Sequence, residues 1–263
     1  MKYLPHSRCL LHLLVLSSSL FLAGCNGDNE SSFPPNSLAA YIEETSLQVQ
    51  LDSLIACAAS GQNGILTDGG NQPVSIIYLP LNELSDVRYF ETSGLPAVPT
   101  DYSLYREQSL EQAPILNGFL RKFTRAAPSE SVYGLVSFIR NDKLFLSNPI
   151  HLKETIQPTQ YTQNISVDLS ESLMPAFTWE SITNADDVIY FQVVSDDSGN
   201  LISGTYTLVP MFQFYKLDNV VLNINEVVPV PVLQSQAHYT FTVLGVSLDN
   251  WVNVHADIAF TAE

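Results

Sequence analysis

Short apolar runs separated by turn residues place the strongest limit on how this 263-residue chain folds. Beyond residue 46, no stretch keeps a 3.6-residue apolar period over the length of a helix, whereas many runs have the length of a strand. Turn-forming segments at residues 69–71, 95–99 and 140–143 interrupt them. This spacing predicts an all-β chain built of β-sandwiches. In the first half the apolar runs occupy residues 51–59, 74–81, 87–92, 115–123, 132–139 and 144–152.

Two polar segments are predicted to be hairpin turns. Asn141-Asp142 separates two β-rich runs, the arrangement of a two-residue hairpin loop. Residues 196–200 place aspartates, a serine, a glycine and an asparagine between two further runs. These oxygens are also calcium ligands, so a cation site is the alternative, although Thr207 stands where an EF-hand loop needs glutamate.

The amino-terminal segment has the parts of a secretory signal. Lys2 and Arg8 supply positive charge, residues 10–22 are mostly apolar, and Leu22-Ala23-Gly24-Cys25 places small residues before a cysteine. The apolar run is shorter than the roughly 20 residues that span a bilayer, which favours cleavage. The pattern resembles the lipobox of bacterial lipoproteins. An ordinary secretory signal with a chance cysteine is the alternative.

The lipobox resemblance implies both a cellular location and a membrane anchor. Residues 1–24 would be the signal peptide, and Cys25 would begin the mature chain with diacylglyceryl and N-acyl (palmitate-type) groups. Two or more acyl chains hold a protein stably on a membrane. Asn26 after the cysteine is similar to lipoproteins sent to the outer membrane, so we expect the bacterial cell envelope, and the outer membrane rather than the inner. Residues 25–46 are expected to be a flexible tether, to which residues 38–47 could add a short helical turn.

Charge and cysteine content exclude some functions. Loss of residues 1–24 leaves 9 basic and 27 acidic residues, a net charge of −18. Such a field repels phosphate backbones, so nucleic acid is not an expected partner. Besides Cys25, the mature chain holds only Cys57, so it has no intramolecular disulfide. Cys57 lies in an apolar run and is expected to pack as a small hydrophobe, since a nucleophile needs a nearby base.

The mature chain divides into two predicted domains. Residues 47–153 form the first sandwich, the polar, proline-bearing residues 154–164 the linker, and residues 165–263 the second sandwich. Residues 86–90, followed by a closing hairpin, give the first sandwich a layout similar to the second, which suggests an internal repeat. A segment with two prolines at residues 227–231 suits a sheet edge.

The second half resembles a fibronectin type III module. Phe177-Thr178-Trp179 is similar to strand B of that family with its tryptophan, residues 189–193 are similar to strand C, and Leu233 followed by Tyr239 resembles the tyrosine corner that opens strand F. The resemblance implies an immunoglobulin- or fibronectin-like sandwich with Trp179 in its core. It also implies that the Tyr239 hydroxyl bonds to upstream backbone.

Alternation in the last two runs predicts which side chains face outward. Tyr239, Phe241 and Val243 share one face, with Thr240 and Thr242 on the other. In the closing run the expected inward residues are Val252, Val254, Ala256, Ile258 and Phe260, and the outward ones Asn253, His255 and Asp257.

The three histidines that bear on chemistry are expected on the surface. His238 and His255 lie about four residues apart along paired strands, near 13 Å at about 3.3 Å per residue, too far to share a metal ion. His151 stands alone. The chain holds no G-x-S-x-G, H-E-x-x-H, Walker, dinucleotide or C-x-x-C motif. We therefore expect no catalytic residue, no metal and no cofactor.

Aromatic residues next to turns are the candidate binding residues. Trp251 directly precedes the inward Val252, so alternation along the strand places Trp251 outward. It lies beside Asp249 and Asn250 at the turn between the last two strands, where related sandwiches present binding loops. The alternative is a ring folded back over the sandwich end. Tyr102 and Tyr105 form a second aromatic loop.

These features favour a non-catalytic, membrane-anchored lipoprotein that binds a protein or carbohydrate ligand at the envelope. A structural accessory subunit of an envelope complex is the alternative, and an enzyme a more distant third.

Overall fold

Strands dominate the structure. The computed structural model describes residues 32–54, 56–67, 73–80, 84–181, 187–224 and 231–263. The signal peptide, Cys25, Asn26, the predicted turn at residues 69–71 and most of the 227–231 segment lie outside these residues. Strands make up 51% of the described residues and helices 8%, so the predicted all-β class is confirmed. No helix among the described residues is long and apolar enough to cross a membrane.

One α-helix and nineteen strands are found in the described part of the chain. Three short 3-10 turns lie at Gly64–Leu66, Tyr102–Leu104 and Leu116–Gly118. The helix and the strands of the first half are α1 (Leu38–Thr45), β1 (Gln48–Leu54), β2 (Ala56–Ser60), β3 (Val74–Tyr78), β4 (Ser85–Glu91), β5 (Arg106–Glu107), β6 (Glu111–Ile115), β7 (Leu120–Arg125), β8 (Val132–Arg140), β9 (Lys143–Ser147) and β10 (Ile150–Leu152). The second half contains β11 (Gln160–Thr162), β12 (Ile165–Asp168), β13 (Ala176–Trp179), β14 (Asp187–Asp196), β15 (Leu201–Thr207), β16 (Met211–Gln213), β17 (Val220–Asn223), β18 (His238–Ser247) and β19 (Val252–Thr261).

The first half is a sandwich of two sheets. Sheet I has the order β1-β9-β8-β4-β5, with β10 also on β8, and sheet II has the order β2-β3-β7-β6. Ile76 and Phe123 of sheet II pack with Tyr89, Val136 and Phe138 of sheet I in one buried cluster. Along β3 the cluster includes Val74, Ile76 and Tyr78, which recur at every second position because alternate side chains of a strand share one face.

The second half is also a two-sheet sandwich. Sheet III has the order β11-β19-β18-β14-β15-β17 and sheet IV the order β12-β13-β16. Phe177 stacks on Phe241 across the two sheets with ring centroids 3.9 Å apart, and Trp179 is buried beside them, as predicted. The hydroxyl of Tyr239 accepts a bond from the backbone N–H of Gln234 at 2.9 Å, which confirms the predicted tyrosine corner.

The two halves share one connection pattern. β1 runs parallel to β9, and β11 runs parallel to β19, before the chain crosses to the other sheet in each half. β2 then pairs with β3 as β12 pairs with β13. The sequence β4-β8-β9 in sheet I matches β14-β18-β19 in sheet III. The repeat suspected from the layout of the sequence is therefore present in the topology of the strands.

A third apolar core lies between the two sandwiches. Ile77 and Leu120, on the outer face of sheet II, pack with Phe191, Val193 and Leu244 on the outer face of sheet III. The four sheets thus stack in the order I, II, III, IV with a core at each junction. Residues Ser31–Glu263 accordingly form one compact unit.

The helix α1 shortens the expected tether. Ser37 caps it by accepting a bond from the N–H of Ala40 at 3.1 Å. Leu38 and Tyr41 are buried in a cluster on sheet I, and the N–H of Leu38 donates to the carbonyl of Tyr105. A short helical turn was the expected alternative for residues 38–47, and the structure has a helix there, so the last part of the predicted tether is folded because this apolar helix face is buried.

Part of the expected linker is also paired. Residues Gln160–Thr162 form β11 along β19. Thr159 bonds in both directions, accepting from the N–H of Ser60 at 2.8 Å and donating to the carbonyl of Val252 at 2.7 Å. The segment between the sandwiches is therefore held by both of them.

Both predicted hairpin turns are confirmed. Asn141 and Asp142 have φ of 49° and 55° between the paired residues Arg140 and Lys143. In the other turn, one oxygen of Asp196 accepts bonds from the N–H groups of Ser198 at 2.9 Å and Asn200 at 2.8 Å. The carboxylate of Asp196 thus closes the turn between β14 and β15. This role accounts for an aspartate at that position, and no bound cation is needed to explain it.

Candidate functional site

Trp251 is buried, and its predicted outward position is wrong. Its side chain has no exposed surface and belongs to the core of the first sandwich, not to the end of the second. The indole N–H donates to the carbonyl of Gln157 at 2.8 Å. Trp251 also forms a parallel bridge with Ala58. The turn inserts into the neighbouring sandwich, so the large apolar ring finds a core there.

Asn250 and Asp249 fix the same turn. The carbonyl of Asn250 accepts from the N–H of Ala58 at 3.0 Å, and its side-chain amide donates to the carbonyl of Pro149 at 3.2 Å. The Asp249 carboxylate lies 2.5 Å from Lys153 Nζ. Burial opposes ionisation of Asp249, but bonds from Lys153 and Ser247 outweigh it and lower the pKa. We call residues 247–251 the turn clamp, because they join the sandwiches where a ligand-binding loop was expected.

His151 contacts this clamp and is only partly exposed, contrary to its expected surface position. Its Nδ1 lies 3.2 Å from a carboxylate oxygen of Asp249. Burial lowers the pKa of His151, although the Asp249 charge acts in the opposite direction.

The second predicted aromatic loop is also mostly internal. Tyr105 is fully buried, and its hydroxyl donates to the carbonyl of Pro99 at 2.6 Å. Burial raises the pKa of this hydroxyl. Tyr102 is half-buried, with its ring centroid 6.2 Å from that of Tyr105. An exposed binding role for Tyr105 is therefore wrong, because the ring fills the cluster beneath α1.

A cleft of about 610 Å³, lined by both polar and apolar side chains, opens between sheets II and III. It forms where the outer face of sheet III changes from apolar to polar. Along β18, Val246 and Leu244 belong to the third core, whereas Thr242 and Thr240 line the cleft. Ser195 continues the polar wall on β14 beyond Phe191 and Val193. The opposite wall comes from the first sandwich and includes Gly64, Asn117 and Lys122.

Lys122 fixes the loop at one end of the cleft. Its side chain is buried, and Nζ donates to the carbonyls of Leu66 at 2.7 Å and Thr67 at 3.1 Å. In the same loop Gly64 has φ +51°, and an added Cβ would lie 3.0 Å from His255 Cε1. Glycine is therefore required both by the left-handed backbone and by the contact with the imidazole.

His255 lies beneath this loop and is fully buried, whereas a surface position was expected. Alternation correctly places it on the outer face of sheet III, but the first sandwich covers that face. Within the described part of the chain, neither ring nitrogen has a hydrogen-bond partner, nor does Oδ1 of the neighbouring Asp257. Burial lowers the pKa of His255 to about 4, against the attraction of Asp257. The imidazole is therefore neutral at pH 7. His238, by contrast, is exposed as predicted, with Nδ1 3.0 Å from the hydroxyl of Thr261.

Among the described residues, those that line the cleft offer hydrogen-bonding groups and include no cysteine or histidine. Asp257 presents a carboxylate, Asn117 an amide, and Thr240, Thr242 and Ser195 present hydroxyls. Cys57 lies in the third core, where burial raises the pKa of its thiol to about 12. Within the described ranges, no group of three or more histidine, cysteine, aspartate or glutamate side chains is placed to hold a metal ion. Such a cleft is suited to bind a polar ligand.

Sequence reasoning missed this site for a definable reason. The alternation of side chains along the last two strands places Thr240, Thr242 and Asp257 outward, and this is the one sequence signal for the cleft. The opposite wall comes from residues more than 100 positions earlier, such as Gly64 and Lys122. Nothing local in their sequence marks them as neighbours of the last two strands.

Comparison with known proteins identifies no family. No protein-family model matches the chain, and no curated protein matches it. Among solved structures, the FN1–FN3 domains of chicken CNTN1 match at 11% identity over 82% of this chain and 65% of theirs, with a TM-score of 0.29. A β-glucuronidase from Ruminococcus gnavus, solved in complex with D-glucaro 1,5-lactone, matches at 11% identity over 72% of this chain and 36% of its own, with a TM-score of 0.27. This chain thus spans less than two thirds of either, and scores this low support no argument about function.

Proposed function

We propose that the protein is a non-catalytic lipoprotein of the bacterial cell envelope that binds a carbohydrate ligand in the cleft between its sandwiches. The observation that carries the proposal is the cleft itself. Its two walls belong to sheets that share the third core and are joined by the turn clamp. A preformed site of this kind loses little conformational entropy on binding.

The chemistry of the cleft favours a carbohydrate over other ligands. Hydroxyl, amide and carboxylate groups line it together with the apolar Ile65 and Ile115. Sugars present donors and acceptors next to C–H faces, and this mixed lining is suited to pair with both. The net charge of −18 after signal removal disfavours anionic ligands.

Glycan arrays and calorimetry on residues 25–263, carrying Cys25→Ser for solubility, test the proposal. We expect a saturable ligand whose affinity falls about tenfold or more in Asp257→Asn and Thr242→Val, because the first removes a charged acceptor and the second a buried hydroxyl. Thr178→Val is the matched control, since Thr178 is exposed on sheet IV, away from the cleft. Equal affinities of the cleft variants and the control would refute the site.

Anchoring by Cys25 is a separate part of the proposal and rests on the lipobox resemblance. Cys25→Ser should move the protein from the membrane fraction to the soluble fraction, because no acyl chain is attached. Both sandwiches should stay folded, as judged by circular dichroism. Continued membrane association of this variant after signal removal would contradict lipid anchoring at Cys25.

A structural accessory subunit is the second candidate, and one observation favours it. Large apolar side chains are exposed within residues 208–222 of the second sandwich, and such patches often mark protein contacts. A stable partner that co-purifies in native detergent extracts, and is lost in Val221→Asp, would favour this function over transient ligand binding. The exposed members are Leu208, Val209, Met211, Leu217, Val221 and Leu222.

A further inference from the structure

An apolar cavity of about 270 Å³ lies in the second sandwich. The loop between β12 and β13, the segment after β16 and the segment before β18 form its walls. One polar side-chain group belongs to the lining, the hydroxyl of Tyr215, and it already accepts a bond from the amide of Asn223 at 2.8 Å. A ligand in this cavity therefore meets an apolar surface. The lining residues are Leu173, Met174, Phe214, Tyr215, Pro231 and Val232.

The walls of this cavity are accessible and held in place. Val232 at its rim is 73% exposed, and Met174 is half-buried. The N–H of Phe214 donates to the carbonyl of Pro175 at 2.9 Å. The side-chain amide of Gln213 donates to the carbonyl of Met174 at 3.3 Å. An incoming apolar group can therefore reach the cavity and leave water there without first rearranging its walls.

The size and surroundings of the cavity suit one side chain of a protein. Its volume lies just below the roughly 300–1,000 Å³ of pockets for whole small molecules. The bond between Tyr215 and Asn223 links it to β17, where Val221 and Leu222 are 54% and 43% exposed. A pocket for one anchor, next to further exposed apolar surface, is the usual arrangement of a protein-binding hot spot.

Charge around the cavity indicates which proteins can approach it. Residues 165–263 contain twelve aspartates and glutamates, and Lys216 is their one lysine or arginine. Its Nζ lies 2.9 Å from the carboxylate of Glu171, which neutralises it. Glu171 precedes Met174 of the lining by three residues, and the exposed Asp218 follows Tyr215 by three. A surface of this sign attracts basic groups and repels acidic ones.

We propose that this cavity binds a large apolar side chain of a partner protein, on a segment where lysine or arginine residues flank that side chain. The apolar group fills the cavity, and its basic neighbours face Glu171 and Asp218. This interaction goes beyond carbohydrate binding in the cleft and does not depend on it, because the two sites share no lining residue.

Other occupants fit less well for reasons of charge and polarity. A second copy of this chain would bring another acidic sandwich to the same face, and like charges repel. An anionic membrane surface is repelled in the same way. A sugar in the cavity would lose water from its hydroxyls and gain few hydrogen bonds from apolar walls.

The methyl resonances of methionine test the proposal in residues 25–263 carrying Cys25→Ser. Met174 lines the cavity, whereas Met211 is exposed on β16 and does not line it. The probes are four blocked pentapeptides, with leucine, methionine, phenylalanine or tryptophan at the centre and two lysines on each side. We expect at least one to shift the Met174 signal saturably, and a peptide with serine at the centre to bind at least tenfold more weakly. If none of the four shifts this signal, which Met174→Leu assigns, the proposal is overturned.

The charge of the probe separates this site from a general apolar surface. Peptides with glutamates in place of the lysines should bind at least tenfold more weakly, and added salt should weaken binding of the lysine peptides. Glu171→Gln should weaken that binding about threefold, comparable to the loss of one exposed ion pair. Asp142→Asn, at an exposed turn residue of the first sandwich, should not change it. Equal affinity for lysine- and glutamate-flanked peptides would show that the proposed partner is wrong.

A substitution at the rim tests the position of the site without disturbing the core. Val232→Ser should weaken binding of the lysine peptide about fivefold, because it removes apolar surface. Leu248→Ser is the matched control, since Leu248 is 83% exposed and does not line the cavity. Thr242→Val, which alters the cleft, should also leave this affinity unchanged. Equal affinities of Val232→Ser and Leu248→Ser would overturn the proposal, whether or not the cleft binds a sugar.

Discussion

Trp251 shows how one side chain can join two sandwiches. It belongs by sequence to the second half but fills the core of the first. Trp251→Ala should lower the free energy of unfolding by about 3–5 kcal/mol, because it leaves a large cavity. Leu248→Ala, at a residue 83% exposed on the same turn, should change it by less than about 0.5 kcal/mol. Urea denaturation measures both, and a loss below about 1 kcal/mol for Trp251→Ala would contradict the clamp.

His255 makes stability depend on pH. Its pKa is about 4 in the folded protein, where Asp257, Tyr161 and Gly64 surround it, and about 6.5 when unfolded. Between these two pKa values, the unfolded chain therefore binds a proton at His255 and the folded protein does not. The contribution of the neutral His255 to the free energy of unfolding is therefore fully present above pH 6.5. It is lost as pH falls towards 4, by about 1.4 kcal/mol per pH unit.

Denaturation at several pH values checks this dependence by comparing variants. His255→Gln should show a shallower loss of unfolding free energy than the unsubstituted chain between pH 6.5 and 4. His238→Gln, at an exposed histidine, should keep the original slope. A His255→Gln slope equal to that of the unsubstituted chain would show that the imidazole is accessible to protons.

At the scale of elements, the hairpin of β8 and β9 depends on its two-residue turn. Both turn residues have positive φ, for which Asn-Gly is the preferred pair. Asp142→Gly should therefore raise the free energy of unfolding by up to about 1 kcal/mol. Asp197→Gly, in a turn residue without positive φ, should not stabilise the protein. Thermal denaturation distinguishes the two, and destabilisation by Asp142→Gly would contradict the turn geometry.

Elements with local signals could be predicted, and those defined by distant contacts could not. Asn141-Asp142 and the Tyr239 corner carry their structure in neighbouring residues, and both were predicted correctly. β11 has three residues and exists because β19 lies beside it. The helix α1 is eight residues long, too short to be stable without the core beneath it. Such elements have little signal of their own.

At the scale of the molecule, alternation identifies the two faces of a sheet but not what covers them. Thr242 and His255 both lie on the predicted outer face of sheet III. Thr242 lines an open cleft, whereas His255 is buried beneath Gly64. The difference depends on how two sandwiches stack, and no local pattern in either half specifies it. The candidate cleft was therefore beyond prediction, even though several of its residues were assigned to the correct face.

A fixed cleft requires that the four stacked sheets behave as one body. The third core and the turn clamp couple the sandwiches, so neither should unfold alone. Differential scanning calorimetry of residues 25–263 carrying Cys25→Ser measures this coupling most directly. We predict a single transition whose calorimetric and van't Hoff enthalpies agree. Two separate transitions, or a van't Hoff enthalpy well below the calorimetric one, as when two sandwiches unfold independently, would contradict a single rigid unit and with it the preformed cleft.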